Sequence, residues 1–491
     1  MVRAMKLYSA LIYLLLLATK YSFANVYNAI DYKLTPILDK ESPVLKVEMV
    51  LEGDLSDLVT INFPSFWAGV DYSSQIQNIR CTDPQKQHQV MQKGNQKHII
   101  INPLRDNKLR ISYEIHQKPN DTVDVHKAMV YQDLVHIVGH GLFALPDDLG
   151  GGDEINFSVS WHGLPKHWST LSSHGIGNQL SFRCSHQSLD YAMYIAGDIR
   201  LHQISQSAKP VYLALHGKFN WPDESIIQDL SGVIENQRAF FDDHAFPYYA
   251  ISLIEGDKSR IMGGTRLYNS FASYFHNSLD REDYYILFAH EHLHNWIGGK
   301  IKNQEEEALG YWWTEGFTEY YTRVLAWRSG GITLNEFINT LNYQLKEYYL
   351  SPVINENNER IKQDFWNNRD VERLPYTRGF TFAMYLNYLL KKHNPEISLD
   401  TLMLDFFKQY TGTKFNPRVF QEFVKSYLPQ GINSEMDRFI KRGETIGLNE
   451  LTKILPLEKR SPPEAKGKDI FQFKAKLTSQ DQENILRFFG R

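Results

Sequence analysis

His290-Glu291-His292-Leu293-His294 closes an apolar, helix-compatible stretch that begins near Asp280. Two histidines four residues apart on a helix project from the same face, one turn above the other. That spacing lets both imidazoles reach one metal ion, with Glu291 beside the open coordination position. The pattern reads as a zinc hydrolase. The bland alternative is a solvated or core histidine pair, and the third ligand decides between them.

A catalytic zinc needs three protein ligands and one position left for water. Trp312-Trp313-Thr314-Glu315-Gly316-Phe317-Thr318-Glu319-Tyr320-Tyr321 follows on a second helix expected from about Tyr311 to Arg328. Glu315 is the expected third ligand to the zinc, beside His290 and His294. A third histidine just after the first helix is the other common solution, but Ile297 and Lys300 occupy its glycine and histidine positions. Glu305, Glu306 and Glu307 are rival carboxylates, although such a like-charge run usually forms a solvated loop. Glu319 stands one turn beyond Glu315. It reads either as the acceptor for the non-ligating nitrogen of a zinc histidine or as an exposed helix glutamate. His292 falls on a different face and reads as packing or surface. His136 and His140 share the four-residue spacing in a strand-like, glycine-containing context, which does not make a metal site.

The rest of the chain frames this motif. Its 491 residues are enough for two or three domains, and 42% hydrophobic with 13% aromatic residues suits a globular protein. The net charge of −4 comes with no basic block, which argues against nucleic acid as a partner. Residues 1–24 read as a cleaved export signal: Arg3 and Lys6, an apolar run from Leu7 to Ala18, then Ser22-Phe23-Ala24 before the cut. The expectation is an exported protein, periplasmic or secreted, with no integral membrane span in the mature chain. Cys81 and Cys184 are the two cysteines, either bonded across a long loop or buried as free thiols.

Residues 25–206 show short alternating runs, such as Leu45-Lys46-Val47-Glu48-Met49-Val50 and Asn156-Phe157-Ser158-Val159-Ser160-Trp161. Period-two alternation between turn residues predicts β-strands with one buried face. The fold expected is multidomain α+β, opening with an antiparallel β-sandwich. Residues 207–331 form the expected thermolysin-like catalytic domain, 332–455 a helical region and 456–491 a short charged tail after Arg460-Ser461-Pro462-Pro463. Thr333-Leu334-Asn335-Glu336 is a capping box that opens one helix of the third region, and another is expected over 379–392.

The histidine motif, Trp296, Trp313-Thr314-Glu315-Gly316-Phe317-Thr318 and Tyr320-Tyr321 together resemble the glycyl aminopeptidase family of gluzincin metallopeptidases. The alanyl aminopeptidase and leukotriene hydrolase family is a more distant relative. Phe63-Pro64-Ser65-Phe66-Trp67-Ala68-Gly69 is similar to a stretch of the family's β-domain. The resemblance implies a Zn2+-dependent peptidase acting on a peptide substrate, with Glu291 as general base. It also implies a role for Tyr376 in Tyr376-Thr377-Arg378-Gly379, the family's tyrosine–basic–glycine signature, as a phenol aimed at the developing oxyanion.

One segment departs from that family. Its members place a glutamate in a glycine-rich edge strand, where it holds the substrate's α-amine. Here the segment is Gly263-Gly264-Thr265-Arg266-Leu267-Tyr268-Asn269-Ser270. A guanidinium at 266 repels an ammonium and attracts a carboxylate, while Gly263 and Gly264 let a peptide backbone approach the edge. The resemblance therefore implies altered end recognition. The family's PDZ module is expected to be missing, since the tail after Pro456 is too short for one. A non-peptidase zinc hydrolase and a non-catalytic zinc-containing binding protein are the competing readings. Glu291 and Tyr376 argue against the last, because a structural zinc needs neither.

Overall fold

The computed structural model describes residues 26–490 except 40–41, 56–57, 105, 119–121, 151, 206–208, 247, 260, 464–466 and 468. The export signal expected at 1–24 lies outside the described residues. The chain divides into two compact units. One holds Met1–Lys218 with Pro247–Tyr274, and the other Phe219–Phe246 with Phe275–Arg491. The strands of the expected catalytic domain thus group with the first unit, and its helices with the second.

The first unit is built of sheets. Val26–Ile37 and Val44–Asp54 pair antiparallel, and alternate residues Ile30, Tyr32, Leu34, Val47, Met49 and Leu51 are all buried. This is the alternation read from the sequence, now with its apolar face covered. The six strands run in the order Gln179–Ser185, Glu154–Trp161, Val26–Ile37, Val44–Asp54, Lys108–His116, Ile76–Cys81.

Two features correct the antiparallel sandwich. Val26–Ile37 and Glu154–Trp161 pair parallel, Ala29 opposite Asn156 and Leu34 opposite Trp161. Three layers stack instead of two, because the sheet containing Leu134–Val138 and Met193–Gly197 is covered on both faces. Val135, Ile137, Tyr194 and Ala196 enter the core cluster shared with the six-stranded sheet. Leu134, Val138, Met193 and Ile195 enter another, shared with Ala214, Ala250 and Leu267. The signal was present in the unbroken run Leu134-Val135-His136-Ile137-Val138, since a strand buried on both faces does not alternate.

Cys81 and Cys184 are free and buried. They sit on the two outermost strands of the six-stranded sheet. Five inter-strand spacings separate these strands by about 24 Å, far beyond disulfide reach.

The second unit is helical. Its frame is α1 (Asp223–Phe241), α2 (Arg281–Leu293), α3 (Gly316–Arg328), α4 (Leu334–Leu350), α5 (Arg369–His393) and α6 (Ser479–Phe489). The Thr333 capping box opens α4 as expected. Helix α5 starts ten residues before the expected 379. Asn368 caps the amides of Asp370 and Val371, and the helix runs through Pro375. A proline in a helix interior costs about 3 kcal/mol or more, which the burial of Val371, Leu374 and Phe380 offsets.

The expected tail is instead part of this unit's core. Leu457–Arg460 pairs with Ile470–Phe473, and Asn342 of α4 bonds the backbone of Phe473 through both its amide nitrogen and its oxygen. In α6, Phe489 is fully buried against Phe337 and Tyr320, and its carbonyl accepts from Arg328 Nε at 2.5 Å. The charged residues of the segment masked its apolar pattern. Among the described residues no helix is long and apolar enough to cross a membrane. Phe489→Ala should lower stability by about 3–5 kcal/mol. Chemical denaturation checks this, and a loss below about 1 kcal/mol would mean that α6 is not packed as described.

Candidate metal centre

Asp280 opens α2 with a capping box to Asp283, which fixes where the helix begins and therefore which face His290 presents. His294 is the C-cap and keeps helical backbone angles. Helix α1 holds α2 from behind. Asp229 receives Arg281 Nε at 2.9 Å and the Tyr284 hydroxyl at 2.6 Å. Gln237 accepts from His292 Nδ1 at 2.7 Å and donates to the Ala289 carbonyl at 2.8 Å. His292 is fully buried and packs edge-on against Trp296, so of the two expected roles it serves packing and not the surface.

Glu315 joins the short helix Tyr311–Thr314 to α3. Trp313 anchors the junction, tilted against Phe317 and edge-to-face with Phe420 and Phe415 at ring separations of 4.5, 4.9 and 5.2 Å. Helix α5 crosses here at a contact only glycine allows. A Cβ on Gly316 would stand 2.3 Å from Gly379 Cα, and one on Gly379 would stand 2.1 Å from the Trp312 carbonyl oxygen. The pair of glycines brings the Glu315 and Tyr376 backbones close together.

Three ligand atoms converge. His290 Nε2 lies 3.0 Å from His294 Nε2, and Glu315 Oε2 lies 3.3 Å from each. All three residues are buried. Ligand atoms about 2.0–2.1 Å from a tetrahedral zinc stand about 3.4 Å apart, so the triangle has the size such an ion requires. The far side of each ring agrees. His294 Nδ1 donates to the Ile297 carbonyl at 3.2 Å, and His290 Nδ1 lies 3.0 Å from Glu319 Oε1. With the protons on Nδ1, both Nε2 lone pairs face Glu315.

The charges agree as well. Burial works against ionisation of Glu315, yet His294 and His290 outweigh it and hold its carboxyl well below the usual range. Burial also disfavours charge on His290, but Glu315 and Glu319 raise it. The pocket therefore draws in a positive charge, and a divalent cation in the triangle supplies one. Among the described residues, His290, His294 and Glu315 form the group able to hold a metal ion. Glu305, Glu306 and Glu307 do not take part: Glu306 pairs with Lys362 at 2.6 Å, and Glu305 with Asn303.

Glu319 is buried against the site rather than exposed. Burial opposes its charge, but Arg323 and His290 hold its carboxyl well below the usual range. Its Oε2 accepts from Arg323 Nη1 at 2.5 Å and from Gln344 Nε2 of α4. Arg323 was legible as an i,i+4 partner, whereas Gln344 arrives from another helix and left no local signal. The Tyr376 ring lies 6.1 Å from the His290 ring at 18°. Burial, then the negative Glu315, raises its phenol so that it stays protonated. Arg378 of the same signature points away and donates to the carbonyls of Ile354, at 3.0 Å, and Glu356. Glu291 is 6% exposed, next to the triangle in sequence.

The other expected residues lie in the first unit. Gly263, Gly264 and Arg266 stand on Met262–Leu267, the edge strand of its sheet. The Tyr274 hydroxyl lies 2.5 Å from where a Cβ on Gly263 would be, so the position has no room for a side chain. Arg266 is partly buried, and burial lowers its pKa. His136 accepts or donates to the Ser252 hydroxyl at 3.0 Å, and His140 stacks on Trp67 at 4.6 Å; neither belongs to a metal group.

Residues 283–359 match the M61 glycyl aminopeptidase family. That segment contains the whole triangle and Glu319, but neither Tyr376 nor Arg266. A crystal structure of an aminopeptidase N family protein from Idiomarina loihiensis has the same fold, with a TM-score of 0.77 at 16% identity over 88% of this chain and 79% of that one. Leukotriene A4 hydrolase from Saccharomyces cerevisiae matches with a TM-score of 0.52 at 16% identity, over 84% of this chain and 66% of that one. No curated protein matches the chain in sequence. The segment that carries the triangle is thus similar to the glycyl aminopeptidases, and the chain shares its fold with the aminopeptidase N family structure.

The glycine contact yields a direct test. Gly379→Ala should force α3 and α5 apart, cost about 1–3 kcal/mol and weaken divalent-cation binding. Thermal denaturation and a cation titration measure both. Unchanged cation affinity would show that the helix contact does not set the triangle.

Proposed function

We propose that the protein is an exported, zinc-dependent metallopeptidase whose catalytic part is thermolysin-like, with His290, His294 and Glu315 as the zinc ligands. The observation that carries this reading is the buried triangle of 3.0 and 3.3 Å edges, with both Nδ1 atoms facing oxygen acceptors. A zinc ion held there would lower the pKa of a water molecule towards about 7 and polarise a substrate carbonyl.

The chain's own groups do the rest. The Glu291 carboxylate takes a proton from the attacking water and passes it to the leaving amine nitrogen. The Tyr376 hydroxyl, which makes no hydrogen bond among the described residues, donates one to the carbonyl oxygen as it gains charge. Glu319 orients the His290 ring and is itself held by Arg323 and Gln344. On the resemblance, Gly263, Gly264 and Arg266 form the segment that meets the substrate's end, with arginine in place of the amine-holding glutamate.

Glu291→Gln should reduce kcat for peptide hydrolysis by about 10²–10⁴-fold with the metal content unchanged. Glu319→Gln should weaken metal affinity by about 10–100-fold, and chelation should abolish turnover. Peptide cleavage by Glu291→Gln at the wild-type rate would sink the reading. For Arg266, matched peptides with free and blocked N-termini decide. The wild type should cleave both kinds, and Arg266→Glu should shift the preference towards the free α-amine. An absolute requirement for the free amine in both proteins would refute the role given to Arg266.

A further inference from the structure

Helix α5 carries three arginines near its start, and two of them make polar contacts through one guanidinium nitrogen each. Arg369 pairs with Glu372 at 2.6 Å, and Arg378 donates to the Ile354 and Glu356 carbonyls. Arg373 differs. Its guanidinium makes no hydrogen bond and no ion pair with any described residue. It is half-buried and stands over the Tyr376 ring, Cζ 5.2 Å from the centroid. The carboxylates whose field it feels, Glu319 and then Glu347, are not in contact with it. Glu319 is already taken by Arg323 and Gln344.

A guanidinium in a partly desolvated place, with five donors unspent, is poised for a planar anion that accepts two parallel bonds. The contact with Tyr376 fixes where that anion would sit. The Tyr376 ring lies 6.1 Å from the His290 ring and 5.2 Å from Arg373 Cζ. Arg373 is therefore within about 11 Å of His290, no more than about three extended residues of a peptide.

From this geometry we infer that Arg373 binds a substrate carboxylate, carried by a residue within three of the bond that is cut. This rests on the peptidase reading of the neighbouring site and adds a substrate class to it: short peptides with a terminal carboxylate, or peptides with an aspartate or glutamate beside the scissile bond. A long basic peptide with a blocked end is the poorest fit. The position of Arg373 on a helix, rather than on a loop, gives the recognition a fixed reach from Tyr376.

Two pairs of peptides test it and separate the sources. One pair is Ala-Ala-Ala with a free or an amidated C-terminus. The other is Ala-Glu-Ala-amide and Ala-Gln-Ala-amide. In at least one pair the wild type should favour the carboxylate by tenfold or more in kcat/KM, and the pair that responds names the source. Arg373→Gln should bring that ratio close to one, and Arg373→Lys should restore part of it. A residue that only tuned the Tyr376 phenol would change both members of a pair alike and leave the ratio standing. Wild-type ratios near one in both pairs, or a ratio that survives Arg373→Gln, overturn the inference. If no peptide is cleaved, the peptidase reading fails separately. Equilibrium binding of the same four peptides to wild type and Arg373→Gln then decides. Tighter binding of the carboxylate member, lost in the variant, supports the site; equal binding refutes it.

Discussion

Two imidazole nitrogens held 3.0 Å apart, each 3.3 Å from one carboxylate oxygen, form the constraint around which the second unit is organised. Buried groups of this kind repel or fail to bond unless a positive charge sits among them. The surroundings do not relieve the demand but sharpen it. The Ile297 carbonyl and the Glu319 carboxylate occupy the outer sides of the rings, so that no other ring nitrogen is free to turn inwards. Arg323 then keeps Glu319 ionised, and the Gln344 amide holds it in place. The chain from Gln344 to the triangle is a relay of hydrogen bonds across three helices, each step fixing the orientation of the next.

Backbone geometry supplies the precision that side chains alone lack. Helices α3 and α5 meet through Gly316 and Gly379, where any side chain would enter the other helix. The contact brings together two motifs some sixty positions apart in the chain, Thr314-Glu315-Gly316 and Tyr376-Thr377-Arg378-Gly379. The same glycine that closes the second motif therefore positions the tyrosine that opens it. The aromatic packing of Trp313 with Phe415 and Phe420 holds the Glu315 junction from the other side. A cluster able to hold a metal ion depends on helix crossing as much as on its ligand side chains.

Local pattern made much of this legible. The four-residue histidine spacing, the helix start near Asp280 and the Thr333 capping box are short-range features, and each is found where the sequence put it. The alternation in Leu45–Met49 marked a one-faced strand, whereas the run Leu134–Val138 is buried on both faces, which alternation cannot detect. What failed to show locally was pairing between distant segments. The parallel partnership of Val26–Ile37 with Glu154–Trp161 joins strands over a hundred residues apart. The packing of α6 rests on Ile485, Phe488 and Phe489, three apolar residues in a segment that otherwise looks solvated.

The sequence by itself determined the chemistry on offer: two histidines on one helical face, a glutamate beside them, a second carboxylate a fixed stretch downstream and a tyrosine–basic–glycine signature. Helical periodicity is a property of the backbone, so spacing alone decides which side chains share a face. Only the tertiary structure decided which distant groups meet them. Glu315 was chosen over Glu305–Glu307 because the Trp313 junction turns it inwards, and Arg378 was turned away while Arg373 was left with its donors unspent. Those choices follow from packing between helices, where burial and close contact act at distances along the chain that no local pattern encodes.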